Sequence, residues 1–166
     1  GTRMAYRMHT DYLHQLYLNN DLAEGRYVAN GEQLSLSDVT VPMFVVGTET
    51  DHVAPWRSVY KVGKLVRSAD YTFCLTSGGH NAGIISGPQH PKRRHRVHTS
   101  KSGARLLTPE RYLEKVEPTP GSWWPTWAKW LEERSSARKV APPAMGAPKQ
   151  GLKPLCAAPG EYVRMK

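Results

Sequence analysis

The feature that most constrains this chain is a stretch from residue 42 to residue 83, in which two short apolar runs each end in a polar loop. The first run, Met43 to Val46, is partly β-branched and stops at Gly47, which favours a strand covered on both faces. The second run, Tyr71 to Thr76, has the same character. Between them, Pro55 suits the first turn of a helix, where its fixed φ fits and no backbone donor is needed. The stretch therefore predicts strand, loop, helix, strand and loop.

The two loops of this stretch carry candidate catalytic groups. Asp51 follows the first strand, and His80 ends the loop Ser77-Gly78-Gly79-His80 after the second, where paired glycines let the backbone bend. A single crossover helix makes the strands parallel and brings both loops to the carboxyl edge of the sheet, where ligands bind. There a carboxylate can hold one imidazole nitrogen and leave the other free as a base. We therefore predict that Asp51 and His80 are two members of a nucleophile–His–acid constellation.

Two neighbours of this pair are further candidates. His52 follows Asp51 and is either a contact of the same site or a solvent-facing neighbour. Asn81 follows His80 in the second loop. We assign His52 and Asn81 a candidate role as supporting or substrate-contacting groups.

Neither cysteine fits the missing nucleophile. A reactive thiolate needs a sharp strand-to-helix turn and a helix N-terminus that lowers its pKa. Cys74 falls in the middle of the second predicted strand, so we expect a buried, small apolar residue. Cys156 lies in the predicted tail and lacks a glycine-flanked elbow. Cysteines in these positions do not indicate a disulfide framework and are typical of a reduced protein.

Three histidines close in sequence are a candidate metal site. The spacing of His90, His95 and His98 matches no common zinc pattern, and no cysteine pair accompanies them. Their surroundings are strongly basic. We therefore expect no metal site and no bound cofactor.

The net charge of +9 is concentrated in a few places. We call residues 92–105 the basic segment because they contain no acidic residue and these basic ones: Lys92, Arg93, Arg94, Arg96, Lys101 and Arg105. Localised charge is more typical of a solvated segment or an anionic ligand than of a duplex footprint, so we expect no nucleic-acid partner. Because the basic segment lacks hydrophobic periodicity, we predict that it is a surface loop.

The rest of the chain gives further elements and a division. We predict a helix from Thr10 to Asn20 and a hairpin around Asn30-Gly31, which accepts positive φ. Further helices begin at Thr108 and at Ser122, and the second carries a tryptophan stripe that we expect to pack mainly into the core. Residues 1–134 thus form one domain. The Pro/Ala/Gly-rich basic tail, residues 135–166, is expected to be extended or disordered.

Four motifs in order resemble those of a known family. They are G-T-E-T-D-H-V-A-P-W-R-S-V-Y from Gly47, S-G-G-H-N-A-G from Ser77, G-S-W-W-P-T-W-A-K-W-L from Gly121 and A-P-G-E-Y-V from Ala158. Together they resemble the C-terminal part of the catalytic domain of polyhydroxyalkanoate (poly-β-hydroxybutyrate) synthases, over nearly the whole chain.

No apolar run is long enough to span a bilayer, and no signal-peptide pattern begins the sequence.

The resemblance implies a fold and an activity. The fold is α/β, the C-terminal portion of an α/β-hydrolase fold with its last two parallel core strands and flanking helices, incomplete without upstream strands. In such synthases a cysteine in a G-x-C-x-G box is acylated by 3-hydroxyacyl-coenzyme A, and the acyl units are polymerised to polyester with release of coenzyme A. The matching acid and base here are Asp51 and His80. The acid has also been assigned to activating the 3-hydroxyl of the incoming acyl group, and the sequence leaves both roles open.

One departure from the family pattern is large, because no G-x-C-x-G box occurs in these residues. We expect the nucleophile upstream of Gly1 and a fragment that is inactive alone. An open edge on the Met43–Gly47 strand would then favour self-association or a homo-oligomer, or leave the isolated chain only partly ordered. The resemblance further implies a cytoplasmic protein at polyester granules, and the basic segment is a candidate guide for coenzyme A phosphates.

Two alternatives remain at the level of sequence. The chain could be a fragment of another α/β-hydrolase, an esterase or depolymerase, which the upstream nucleophile and the product would reveal. It could also be a non-catalytic basic module that attaches to granules or nucleic acid through the tryptophan helix and the tail. Strongly salt-dependent DNA binding that ignores Asp51 and His80 would favour that reading.

Overall fold

The computed structural model describes residues 3–136 and 138–165, and the chain divides into two units, Gly1–Trp130 and Leu131–Lys166. The first unit carries every strand of the two sheets. The second contains two short 3₁₀ turns, Pro148–Gln150 and Tyr162–Arg164. The division between residues 134 and 135, and the disorder of the tail, stay predictions.

The elements follow one another in a mixed order. The helices are α1, Tyr6–Asp11; α2, Trp56–Tyr60; α3, Pro109–Lys115; and α4, Trp124–Glu132. The strands are β1, Tyr27–Ala29; β2, Glu32–Leu34; β3, Met43–Thr48; β4, Asp70–Thr76; β5, Arg94–Lys101; and β6, Thr119–Pro120. A π-helical stretch, Tyr12–Leu18, continues α1, and 3₁₀ turns cover Leu36–Asp38 and Lys61–Lys64.

The main sheet has four strands in the order β3-β4-β5-β6. β3 and β4 are parallel, with Val46 opposite Cys74, and α2 lies in the connection between them. The predicted parallel pair and its crossover helix are therefore confirmed. β5 pairs antiparallel with β4 and places Val97 opposite Cys74, and β6 pairs antiparallel with β5. The unit is a mixed α/β structure with a mixed sheet.

The basic segment is not the predicted surface loop, because its residues Arg94–Lys101 form β5. That prediction was wrong. The sequence of this strand does not alternate between aliphatic and polar residues, since Val97 is its one aliphatic residue. It forms because β4 is buried, and buried backbone N–H and C=O groups require partners that antiparallel pairing supplies. A contact of 2.9 Å between the hydroxyls of Thr72 and Thr99 adds to the pairing.

An aromatic core fixes α2 against the sheet. Trp56 and Tyr60 are buried on α2, and the Tyr60 ring meets Phe73 of β4 edge to face with centroids 4.7 Å apart. Tyr112 of α3 closes the cluster, and its hydroxyl donates to the carbonyl oxygen of Arg96 at 2.8 Å. Burying a large apolar side chain contributes roughly 1.5–3 kcal/mol, so this cluster anchors the loop that carries the candidate acid.

The first helix begins earlier than predicted, at Tyr6. Thr10 is not its cap, because the Thr10 hydroxyl donates to the carbonyl oxygens of Tyr6 and Arg7 at 3.1 and 3.0 Å. Such back-bonding lets a hydroxyl residue sit inside a helix. The helical stretch ends at Leu18, close to the predicted Asn19-Asn20.

The other predicted elements are present. Asn30 and Gly31 have φ values of 51° and 83° in the β1–β2 hairpin. The Thr108 hydroxyl caps α3, and the Ser122 hydroxyl accepts from the Trp124 amide at 3.2 Å. The tryptophan stripe is only partly in the core, because Trp123 is buried whereas Trp124 and Trp127 are about two-fifths exposed, at 37% and 40%.

β3 lies at one edge of the main sheet and pairs only with β4 among the described residues. This is the open edge expected from the sequence, while self-association through it stays a prediction. Within residues 3–136 and 138–165, no helix has the length and apolar character needed to cross a membrane.

Candidate active site

The loops after β3 and β4 lie side by side at the carboxyl edge of the parallel pair. Two backbone hydrogen bonds join them: the Glu49 amide donates to the Thr76 carbonyl at 2.9 Å, and the Thr50 amide to the Gly78 carbonyl at 3.1 Å. These bonds continue the strand ladder beyond the strands themselves. They fix the relative position of the two loops that carry Asp51 and His80.

Asp51 is held mainly by its own loop. Its Oδ1 atom accepts from the amides of Val53 and Ala54, each at 2.8 Å, and its side chain is 8% exposed. The hydrogen bond from the Ala54 amide, followed by those from His80 and Val53, lowers the pKa of Asp51 to about 2. Asp51 is therefore a carboxylate throughout the neutral range and remains an acceptor for His80.

The structure brings His80 onto this carboxylate. The Nδ1 atom of His80 lies 3.0 Å from Oδ1 and 2.9 Å from Oδ2 of Asp51. An ionised carboxylate only accepts, so Nδ1 carries the proton in this contact and Nε2 is left with a lone pair in the neutral ring. The imidazole is 43% exposed, and no described residue hydrogen-bonds to Nε2. The pair can thus accept a proton from a group arriving at the sheet edge.

Two glycines make this approach of the loops sterically feasible. Gly78 has φ +112°, and a Cβ there would lie 2.7 Å from Arg93 Nη1. At Gly83 a Cβ would lie 2.6 Å from a methyl carbon of Thr48. Gly79, the second member of the predicted pair, does not have a positive φ. The bend of the His80 loop therefore depends on Gly78.

The two weaker candidates lie outside the hydrogen-bonded pair. His52 and Asn81 are both exposed, and neither side chain forms a hydrogen bond to a residue that the structure describes. Their role as supporting or substrate-contacting groups stays a prediction, as do the catalytic roles of Asp51 and His80. The sequence analysis missed Thr48, whose hydroxyl lies 3.5 Å from Oδ2 of Asp51.

The cysteines lie where the sequence placed them. Cys74 is fully buried in the middle of β4, and burial raises the pKa of its thiol to about 12. A thiol in that state is not a nucleophile, so the rejection of Cys74 is supported by its surroundings. Cys156 is a free, exposed cysteine of the second unit.

The histidine trio does not form a cluster. His95 is buried, and its two ring nitrogens contact the Gly121 carbonyl and the Thr126 hydroxyl, each at 3.0 Å. This makes His95 a structural residue between β5 and α4. No group of three or more potential metal-ligating side chains was found among the residues described.

Three of the four arginines of the basic segment are engaged within the protein. Arg94 pairs with Glu49 at 2.7 Å, and Arg96 donates to the Val116 carbonyl. Arg93 donates to the hydroxyl of Ser86 at 2.8 Å. These contacts argue against a set of free guanidinium groups that guides an anionic ligand.

The curated proteins that are similar to this chain are all named as poly(3-hydroxyalkanoate) polymerases. The chain is 40% identical to the poly(3-hydroxyalkanoate) polymerase of Methylorubrum extorquens over 167 residues, which cover 100% of this chain and 26% of that protein. It is 36% identical to the poly(3-hydroxyalkanoate) polymerase subunit PhaC of Rhizobium meliloti, over 100% of this chain and 26% of the relative. Identity to the PhaC subunit of Cupriavidus necator is 33%, over 93% of this chain and 25% of the relative.

No protein-family model matches the chain. The matches to individual polymerases nevertheless extend over nearly all of its length, and the chain spans about a quarter of the length of these relatives. Identity at this level over so long a stretch indicates common descent, and it confirms the resemblance carried by the four motifs. By its sequence this chain is a relative of the poly(3-hydroxyalkanoate) polymerases and corresponds to about a quarter of such a protein.

Proposed function

We propose that this chain supplies the acid and the base of a polyhydroxyalkanoate synthase, an acyltransferase that joins 3-hydroxyacyl units from coenzyme A thioesters into polyester. The observation that carries the proposal is the contact of His80 Nδ1 with the Asp51 carboxylate at 2.9 Å, which leaves Nε2 open at the carboxyl edge of two parallel strands. The polymerase names of the relatives supply the substrate class.

In the proposed reaction His80 acts as a general base. Nε2 takes the proton of a cysteine thiol, and the resulting thiolate attacks the carbonyl carbon of the coenzyme A thioester. The bond between that carbon and the coenzyme A sulfur breaks, and the imidazolium returns the proton to the departing thiolate. His80 then takes a proton from the 3-hydroxyl of a second acyl unit, whose oxygen attacks the carbonyl carbon of the new thioester. The bond between that carbon and the cysteine sulfur breaks, and the imidazolium returns its proton to the cysteine thiolate.

The Asp51 carboxylate holds the imidazole and stabilises the imidazolium. Both oxygens are already in use, since Oδ1 accepts from two backbone amides and from His80, and Oδ2 lies against His80 and Thr48. A carboxylate that is 8% exposed has little room for a substrate hydroxyl, whereas the His80 ring is 43% exposed. We therefore favour orientation of His80 over direct activation of the 3-hydroxyl by Asp51.

The proposal places the thiol outside these residues. Cys74 is buried with a raised pKa, and the sequence contains no G-x-C-x-G box. The rest of the α/β-hydrolase sheet would pair with the open edge of β3, and the 166 residues alone would be inactive. We further propose a cytoplasmic location at polyester granules and an oligomeric state, both carried over from the family resemblance.

The test uses the intact natural protein with 3-hydroxybutyryl-coenzyme A. We expect coenzyme A release with insoluble polyester as the product, and a fall in kcat of at least about 10³-fold for His80→Gln. Free 3-hydroxybutyrate in place of polymer would indicate an esterase or depolymerase. Undiminished release by His80→Gln, or release by the purified 166-residue chain with Cys74 and Cys156 replaced by alanine, would refute the proposal.

A further inference from the structure

The loop that follows His80 is held by side chains from two distant parts of the chain. Four carbonyl groups of this loop accept side-chain hydrogen bonds, namely those of Ala82, Gly83, Ile84 and Ser86. The donors come from the residue before β5 and from the start of α4. We propose that Arg93 is a positioning residue for His80 and acts through this loop. The inference rests on the proposed function and deepens it by naming what fixes the base.

Arg93 contacts both ends of the turn after His80. Its Nη2 atom donates to the Ala82 carbonyl at 3.1 Å, and its Nε atom donates to the Ser86 hydroxyl at 2.8 Å. The Ser86 hydroxyl in turn donates to the Ala82 carbonyl. One guanidinium therefore ties the second residue after His80 to the residue that closes the turn.

Arg93 is itself fixed to the structure behind the loop. Its carbonyl oxygen accepts from the Gly121 amide at 2.6 Å, and the next residue, Arg94, donates its amide to the Ser77 hydroxyl at 3.1 Å. The guanidinium packs beside Gly78, where a Cβ would lie 2.7 Å from Nη1. A movement of Arg93 would thus displace the backbone on both sides of His80.

The opposite side of the loop rests on the start of α4. The Ser122 hydroxyl donates to the Ser86 carbonyl at 2.8 Å, and the Trp124 indole donates to the Ile84 carbonyl at 2.8 Å. The Trp123 indole donates to Gly83 at 3.3 Å. These three donors hold the middle and the end of the loop, whereas Arg93 donates from outside the loop to Ala82, next to Asn81 and His80.

The geometry requires arginine and not only positive charge. The planar guanidinium donates in two directions at once from a rigid fork, and a lysine ammonium on a flexible stem does not reproduce that arrangement. The two acceptors, a carbonyl and a hydroxyl, are neutral, so the contacts fix geometry and do not neutralise charge. Arg93→Lys should therefore have the same effect on kcat and on amide exchange as Arg93→Met.

The test combines kinetics with amide hydrogen exchange in the intact natural protein. For Arg93→Met we expect kcat to fall roughly 10–100-fold with KM unchanged, because a shift of about 1 Å in a catalytic group costs that much. Amides of Gly83, Ile84 and Ile85 should exchange faster, since they donate within the loop. The charge-matched control is Arg111→Met, because the exposed Arg111 side chain pairs with Glu114 on α3, and it should change neither readout.

Each outcome decides the inference. Faster exchange with lower kcat supports it, while either change without the other overturns it, as does rescue of kcat by Arg93→Lys. If Arg93→Met does not fold, Trp124→Phe removes one donor to the loop and keeps the ring, and we expect faster exchange and a kcat lower by about 2–10-fold. If the wild-type protein makes no polyester, the proposed function fails, and the exchange measurement still decides whether Arg93 holds the loop.

Discussion

The two catalytic loops are built in opposite ways. The carboxylate of Asp51 is fixed by groups within three residues of it, the amides of Val53 and Ala54 and the hydroxyl of Thr48. The His80 loop has donors that lie far away in sequence, from Arg93 to Trp124. The orientation of an acid held by its own turn depends mainly on that turn, whereas a base held by distant elements depends on the completed sheet and on α4.

Loss of the acid should have the largest effect on rate. Asp51→Asn keeps an oxygen for the backbone amides but removes the negative charge that holds His80 Nδ1–H and its imidazolium. We expect kcat for coenzyme A release to fall about 10³–10⁴-fold in the intact natural protein, well beyond the loss from loosening the His80 loop. Initial rates over a range of substrate concentration would measure it.

A control separates this effect from the loss of a surface charge. Asp11→Asn removes a carboxylate that is 52% exposed and pairs with Arg7 on α1, and it should leave kcat unchanged. An Asp51→Asn rate within about 10-fold of wild type would mean that the local turn fixes a residue of little catalytic importance.

Strain in the His80 loop should have a smaller effect on rate than loss of the acid. Gly78→Ala places a Cβ at φ +112° and 2.7 Å from Arg93 Nη1, with backbone atoms of Gly83 at 3.0 Å. We expect the free energy of unfolding to fall by about 2–3 kcal/mol and kcat to fall roughly 10-fold, because the bend and the Arg93 contact are disturbed together. Denaturant unfolding and initial rates are the measurements.

The matched variant is Gly31→Ala in the β1–β2 hairpin. Gly31 also has a positive φ, 83°, but a Cβ there meets nothing within 4 Å. Gly31→Ala should lower the free energy of unfolding by only about 1 kcal/mol, through backbone strain, and should not change kcat. Equal costs at the two glycines would show that the crowding around Gly78 contributes nothing.

The same contrast explains what the sequence could predict. β3, α2, β4 and the meeting of Asp51 with His80 follow from local patterns and from the handedness of a crossover, so they were predictable. β5 was missed because it forms by pairing with the free edge of β4. The sequence of residues 94–101 alone contains no pattern that indicates this pairing. The sequence placed Arg93 in a surface loop, as a solvated charge or a guide for an anionic ligand, for the same reason, since its acceptors at Ala82 and Ser86 become visible only when β5 lies beside the loop.

The smallest expected effect concerns the titration of Asp51. It tests most directly whether groups close in sequence set the pKa of this residue. The Ala54 amide is the largest cause of a pKa of about 2, ahead of His80. An unperturbed aspartate has a pKa near 3.9, so Asp51 should remain ionised at about pH 3, where ordinary aspartates are largely protonated. A folded-state pKa below the unfolded value stabilises the protein above about pH 4, and that contribution is lost as the pH falls towards 2.

Replacement of the long-range partner should leave most of this effect in place. In His80→Gln the amides of Val53 and Ala54 still donate to Oδ1, so the pKa of Asp51 should rise only part of the way towards its ordinary value. The carboxyl-carbon resonance of Asp51 in the labelled protein, followed from about pH 6 to pH 3, would report it. If His80→Gln restored an ordinary titration, the acid would depend on the distant base for its charge, and the two loops would form a single mutually supported unit.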